Sequence, residues 1–158
     1  MNEFHLPQHH PLNLKTIMAL DYGEKFTGIA LYCVNRDPYP TPYGRIATHK
    51  GMDHFFLELK KMIEDEFVDL LVIGIPHLID GKSTSTTQKV ENFIRLVKEQ
   101  IATEIQTQDE TLSTFEAESR MKSSPQYNFQ VDLTKIDAVA ASVILEDFIR
   151  RTKANSDL

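Results

Sequence analysis

Residues 70–76 read Leu-Leu-Val-Ile-Gly-Ile-Pro, without one polar side chain on either face of a two-residue repeat. A strand of that composition must be covered on both sides, and helices are what usually cover it. The flanking sequence supplies them. Phe55, Leu59, Met62, Ile63 and Phe67 recur on a helical stripe before it, while Glu58, Lys60, Lys61, Glu64 and Asp65 fall mainly outside that stripe. Val90, Phe93, Ile94, Val97 and Ile101 form a second stripe after it. Upstream the pattern is β-rich. Residues 16–20 and 27–34 are joined as a hairpin across Gly23-Glu24-Lys25, and residues 43–49 read as a third strand. Downstream, residues 103–108 form a weaker strand, and Ser113-Thr114-Phe115-Glu116 matches the capping box that opens a helix. A last helix is expected from near Thr134 to about Arg151. The order predicts an α/β domain, a mixed sheet of about five strands flanked by helices. Residues 1–14 read as an irregular lead-in, residues 15–152 as the domain, and residues 153–158 as a tail, with polar fraying from Arg150 onward.

The length of 158 residues suits one domain. Seventeen Lys and Arg against 23 Asp and Glu leave a net charge of −6, so the broad basic footprint of a non-specific nucleic-acid binder is missing. Any polyanion must be held locally. The longest apolar run is far below the ~20 residues that span a bilayer, and the start lacks a signal peptide's apolar stretch, so a cytoplasmic protein without a membrane partner is expected. The single cysteine, Cys33, excludes an internal disulfide framework and reads as a structural strand residue.

Several motifs can be dismissed by counting. Gly81-Lys82-Ser83 ends like a phosphate-binding P-loop, but that motif needs glycine at the position of Pro76. There is no G-x-S-x-G elbow. His9 and His10 share no helix face, and His49 and His54 read as surface or packing residues. His77 ranks above them, because it follows the central apolar strand and can face the edge where Asp21 ends the first one.

Three acids remain. Asp21 sits where a strand ends, at the carboxyl edge that binds ligands in open α/β sheets, although Asp21 can equally be a turn former ahead of Gly23. Glu110 closes the fifth strand and taken alone is an ordinary loop acid. Asp137 lies within about 40° of the stripe Ala141, Ile144 and Phe148 on the last helix. A carboxylate there needs a partner, a proton or a metal. Against this, Thr134-Lys135-Ile136-Asp137 also fits a capping box, in which Asp137 would serve only the helix end. Spacing leaves both readings open.

Taken together, Ala19-Leu20-Asp21-Tyr22-Gly23-Glu24-Lys25-Phe26-Thr27-Gly28-Ile29-Ala30-Leu31, Val72-Ile73-Gly74-Ile75-Pro76, Asp109-Glu110 before Leu112-Ser113-Thr114-Phe115-Glu116, and Ile136-Asp137-Ala138-Val139-Ala140-Ala141 resemble the YqgF family of RNase H-like proteins, also called RuvX. The blocks occur in family order across residues 16 to about 150. The resemblance implies an RNase H-like fold whose five-stranded sheet has its second strand antiparallel and helices on both faces. It implies that Asp21, Glu110 and Asp137 are catalytic and hold Mg²⁺ or Mn²⁺, with two ions ~4 Å apart suited to phosphodiester cleavage. It makes Lys25, Lys82, Lys135 and His77 candidates for substrate binding. Two positions depart from the family pattern: Phe26 and Thr111 stand where arginines are usual, which removes charge from the phosphate side.

The implied function is a metal-dependent nuclease of structured RNA, in 5′-end maturation of 16S ribosomal RNA, with ribosomal precursor particles as partners. A resolvase of branched DNA is the alternative substrate reading. Two symmetric cuts would require a homodimer, whereas RNA cleavage is open to a monomer. A non-catalytic assembly factor that kept the fold is a different class. An actin-like ATPase needs two such domains, and the chain is too short for them.

Overall fold

The computed structural model describes residues 15–76, 85–110 and 113–156. They form β1 (Thr16–Asp21), β2 (Thr27–Cys33), β3 (Thr41–Ile46), α1 (Met52–Asp65), β4 (Leu70–Pro76), α2 (Ser85–Gln100), β5 (Glu104–Glu110), α3 (Ser113–Lys122) and α4 (Ile136–Ser156). The sheet order is β3-β2-β1-β4-β5. β2 runs antiparallel to both neighbours, and β1, β4 and β5 are mutually parallel. The mixed five-stranded sheet with its second strand antiparallel is the one expected from sequence.

Alternation along the strands divides the core into two layers. Met18, Leu20, Leu71 and Ile73 face α1 and α2, where they pack with Phe55, Leu59, Phe93 and Val97. Ile17, Ala19, Leu70 and Val72 point the other way, onto Ala141, Ile144, Leu145 and Phe148 of α4. Both faces of β4 are therefore covered, as its composition demands. Small residues let α4 come close. A Cβ on Gly28 would collide with the backbone carbonyl of Asp137, and one on Gly74 would stand 2.5 Å from Ile144 Cδ1.

Three expectations need correction. Phe67 does not continue the stripe of α1: it lies past the helix end with φ of 53° and is 82% exposed. The buried end of that segment is Val68, whose N–H donates to the Ile63 carbonyl as the chain turns into β4. The third strand spans Thr41–Ile46, and residues 48–50 form a 3-10 turn held by a 2.7 Å hydrogen bond between the Thr48 and Thr27 hydroxyls. Fraying from Arg150 is not found either. α4 continues to Ser156 because Thr152 is buried and Arg151 reaches back to β5, donating from Nε to Gln108 Oε1 at 2.8 Å. Residues 153–156 of the expected tail are helical as a result. Among the described residues no helix is long and apolar enough to cross a membrane.

α3 is joined to α4 by Ala117 and Met121 packing on Val139 and Ala140, and by an ion pair at the rim. Arg120 donates to both carboxylate oxygens of Glu146, at 2.6 and 2.8 Å, and to Glu116 at 2.9 Å. These carboxylates hold its guanidinium well above the usual arginine range, although the group is partly exposed. Replacing Arg120 with Met should therefore cost only about 1 kcal/mol. Urea unfolding at low and at 1 M salt checks this, and the cost should shrink at high salt.

Candidate active site

The three acids come from three separate elements. Asp21 ends β1 on the same face as Ile17 and Ala19. Glu110 ends β5 opposite Pro76, on the same face as Gln108, whose side chain meets Arg151 of α4. Asp21 and Glu110 thus both lie on the α4 side of the sheet's carboxyl edge. They line one cleft of about 250 Å³, walled by Gly74, Phe115 and Ile144.

Asp137 occupies the first turn of α4, and its local surroundings favour one of the two readings left open by spacing. Asp132 Oδ1 accepts from the Thr134 N–H at 2.9 Å and from its hydroxyl at 2.6 Å, and the Asp132 carbonyl accepts from the N–H groups of Lys135 and Ile136. Asp132 therefore organises the entry to the helix, and the Thr134 hydroxyl is already engaged. The Asp137 backbone rests on Gly28, which pairs in register with Asp21. That contact brings the start of α4 over the end of β1. Asp137 consequently acts on Asp21 electrostatically.

Burial first, then the charge of Asp137, then that of Glu110, push the Asp21 carboxyl up to about 7. Burial also raises Asp137, and the guanidinium of Arg45 partly offsets the rise. Glu110 Oε2 is closed off from solvent. Three carboxylates on one edge, two of them disfavoured as anions, form an oxygen-only donor set suited to a hard divalent cation. The fit is to the chemistry of such an ion, not to a finished cage: among the described residues no three His, Cys, Asp or Glu side chains converge tightly enough to hold a metal as they stand.

Sequence reasoning missed Arg45. It comes from β3 opposite Gly28, its guanidinium lies 3.6 Å from the centroid of the Phe26 ring, and its Nη1 stands 3.9 Å from Asp137 Oδ2. The usable signal was Ile46: if that side chain points inward, its neighbour Arg45 must face the α4 side. The other candidates are placed differently. Lys25 is exposed, with Nζ 6.0 Å from the Phe26 ring, and Lys135 lines a separate groove of about 440 Å³ with Thr41, Gly44 and Tyr127. Neither lines the acid cleft. His77, Lys82 and Thr111 fall outside the described residues. Cys33, half-buried at the end of β2, accepts from the Thr16 hydroxyl at 3.6 Å.

Residues 15–151 match the sequence profile described as RuvX, Holliday junction resolvase. The chain belongs to the RuvX family. A RuvX relative from Nitratidesulfovibrio vulgaris, named "Putative pre-16S rRNA nuclease", is 34% identical over 133 residues, covering 84% of this chain and 91% of the relative. One of the same name from Maridesulfovibrio salexigens is 32% identical over 138 residues, covering 85% and 98%. Among solved structures, Thermus thermophilus RuvC aligns with a TM-score of 0.54 at 6% identity, over 86% of this chain and 96% of that one. The fowlpox virus resolvase in complex with Holliday junction DNA gives 0.51 at 10% identity, over 89% and 98%. These likenesses show the fold, which is RNase H-like. This RuvX member is accordingly a nuclease-family hydrolase. Resolvases and nucleases of this fold generally use divalent metals.

Proposed function

We propose that the chain is a Mg²⁺- or Mn²⁺-dependent nuclease of structured RNA, acting on the 5′ end of the 16S ribosomal RNA precursor. The observation that carries this reading is the cleft shared by Asp21 and Glu110, where burial and, after it, the nearby charge of Asp137 push the Asp21 carboxyl up to about 7. Asp21, Glu110 and Asp137 would hold a pair of ions, and Asp21 would give up its proton as they bind. A divalent cation supplies Lewis-acid stabilisation of phosphoryl oxygens and a more acidic bound water. Phe115 and Ile144 shape the wall against which the reacting phosphodiester is positioned. The RNA assignment leans on the names of the RuvX relatives. A four-way DNA junction is the second reading, favoured by the description of the matching family.

The test incubates the purified protein and Mn²⁺ with a labelled precursor carrying the 16S 5′ leader and, separately, with a four-way DNA junction. Cutting of the RNA alone supports the proposal. Cutting of the junction alone moves the substrate to DNA. Binding of either without cutting identifies a non-catalytic assembly factor and sinks the nuclease reading for this chain. The cation itself is read separately by melting. Mn²⁺ at 100 times its Kd should stabilise the wild type by about 2.7 kcal/mol, and Asp137→Asn should lose most of that gain.

A further inference from the structure

A cleft lined by acids on a chain of net charge −6 repels the backbone it has to admit. Arg45 stands where that repulsion can be answered. Asp21 pairs with Gly28 and Gly28 with Arg45, so the two side chains share one row across three strands, and Arg45 sits where Asp137 comes down from α4. Its guanidinium carbon sits over the Phe26 ring, 3.6 Å from the centroid. Its polar contacts are long, 3.5 Å to the Leu133 carbonyl and 3.9 Å to Asp137. Good N–H···O bonds fall at 2.7–3.2 Å. Most of its five donors thus stay available, and the side chain keeps 29% of its surface in solvent. A flat, oriented, always-charged fork beside a carboxylate cleft matches two oxygens of a phosphodiester.

We infer that Arg45, held on the face of Phe26, is the residue that binds the substrate's phosphodiester backbone on the β3 side of the three acids. This rests on the nuclease reading for the cleft, but it holds for an RNA or a DNA backbone alike. Phe26 is the positioning residue: it holds the fork in place before the ligand arrives and touches no phosphate itself. The competing role for Arg45 is that of a mere counter-ion for Asp137.

The experiment measures binding of the labelled leader RNA and of a four-way DNA junction in Ca²⁺, over a range of salt, by fluorescence anisotropy. Arg45→Ala should weaken the better-bound probe by about 10- to 100-fold and lower the slope of log K against log salt by about 1. Arg45→Lys should keep the slope and recover only part of the affinity, and Phe26→Ala should fall between it and wild type. The double variant Phe26→Arg with Arg45→Ala should regain most of the affinity by returning a guanidinium to the same spot. Throughout, the Mn²⁺-dependent rise in melting temperature should persist in Arg45→Ala. Unchanged affinity and slope in Arg45→Ala, in a wild type that binds and cuts, overturn the inference and leave the nuclease reading standing. Loss of the Mn²⁺ response together with failure of the double variant shows the counter-ion role and also overturns it. A wild type that binds neither probe removes both readings. If Arg45→Ala melts too low to assay, the Lys and Phe26 variants decide on the same criteria.

Discussion

Asp21→Asn should abolish cleavage and at the same time make the cation-free protein more stable above pH 7. The sign follows from the raised carboxyl. Unfolded, Asp21 titrates near 3.8; folded, near 7. Below pH 3.8 both states carry the proton and the group contributes nothing. Between about 4 and 7 the unfolded chain has lost the proton that the folded chain retains, so stability falls as pH rises, and above 7 the penalty is constant. The full shift corresponds to roughly 4 kcal/mol. Since the carboxylate is partly exposed to its cleft, about 2 kcal/mol is the expected gain in the Asn variant at pH 8. Thermal melts of both proteins in EDTA from pH 4 to 9 measure it. The two curves should converge at the acid end. Adding Mn²⁺ should then reverse the order at pH 8, because only the wild type keeps the full oxygen set. An Asn variant that melts at or below wild type in EDTA at pH 8 would show that Asp21 is not held against its own charge.

Gly28→Ala should be the most damaging glycine-to-alanine change among the described residues. The new Cβ would overlap the Asp137 carbonyl, and both atoms belong to backbone, so neither can rotate away. Relief requires α4 to lift off β2. An overpacking cost of about 3 kcal/mol is expected, or roughly 6–12 °C in melting temperature for a domain of this size. The displacement also carries Asp137 away from Asp21, so cleavage should fall further than the loss of folded protein explains. Gly44→Ala is the internal control. Nothing lies within 4 Å of a Cβ built there, and its stability should stay within about 0.5 kcal/mol of wild type. Equal losses at both positions would refute the close-approach argument.

Much of the fold was readable because burial leaves a periodic trace. The stripe Val90, Phe93, Ile94, Val97 and Ile101 is buried as a unit, and the polar-free β4 lies in the middle of the sheet with helices on both faces. The reading failed where a local device ended the pattern. Phe67 has the right spacing for the α1 stripe, yet the chain enters the left-handed region there and turns its ring to solvent. α4 outran its expected end because Arg151 finds its partner on β5, 43 residues away. The acids were legible as strand-end and stripe residues. Whether Asp137 caps its helix or faces Asp21 was not, since both readings satisfy the same four-residue spacing.

By itself the chain's order of residues determined the alternation of strands and helices and the strand ends at which Asp21 and Glu110 stand, and it left Asp137 open between a helix cap and an acid in need of a partner. Those are consequences of period and polarity, which act over a few residues. Only the packed molecule decided that Gly28 admits the start of α4, that Asp132 organises the helix entry beside Asp137, and that the Arg45 guanidinium sits over Phe26 near Asp137. Each of these is a contact between elements distant in sequence or a choice among local partners of equal spacing, and such contacts are set by the fit of whole surfaces, which no window along the chain contains.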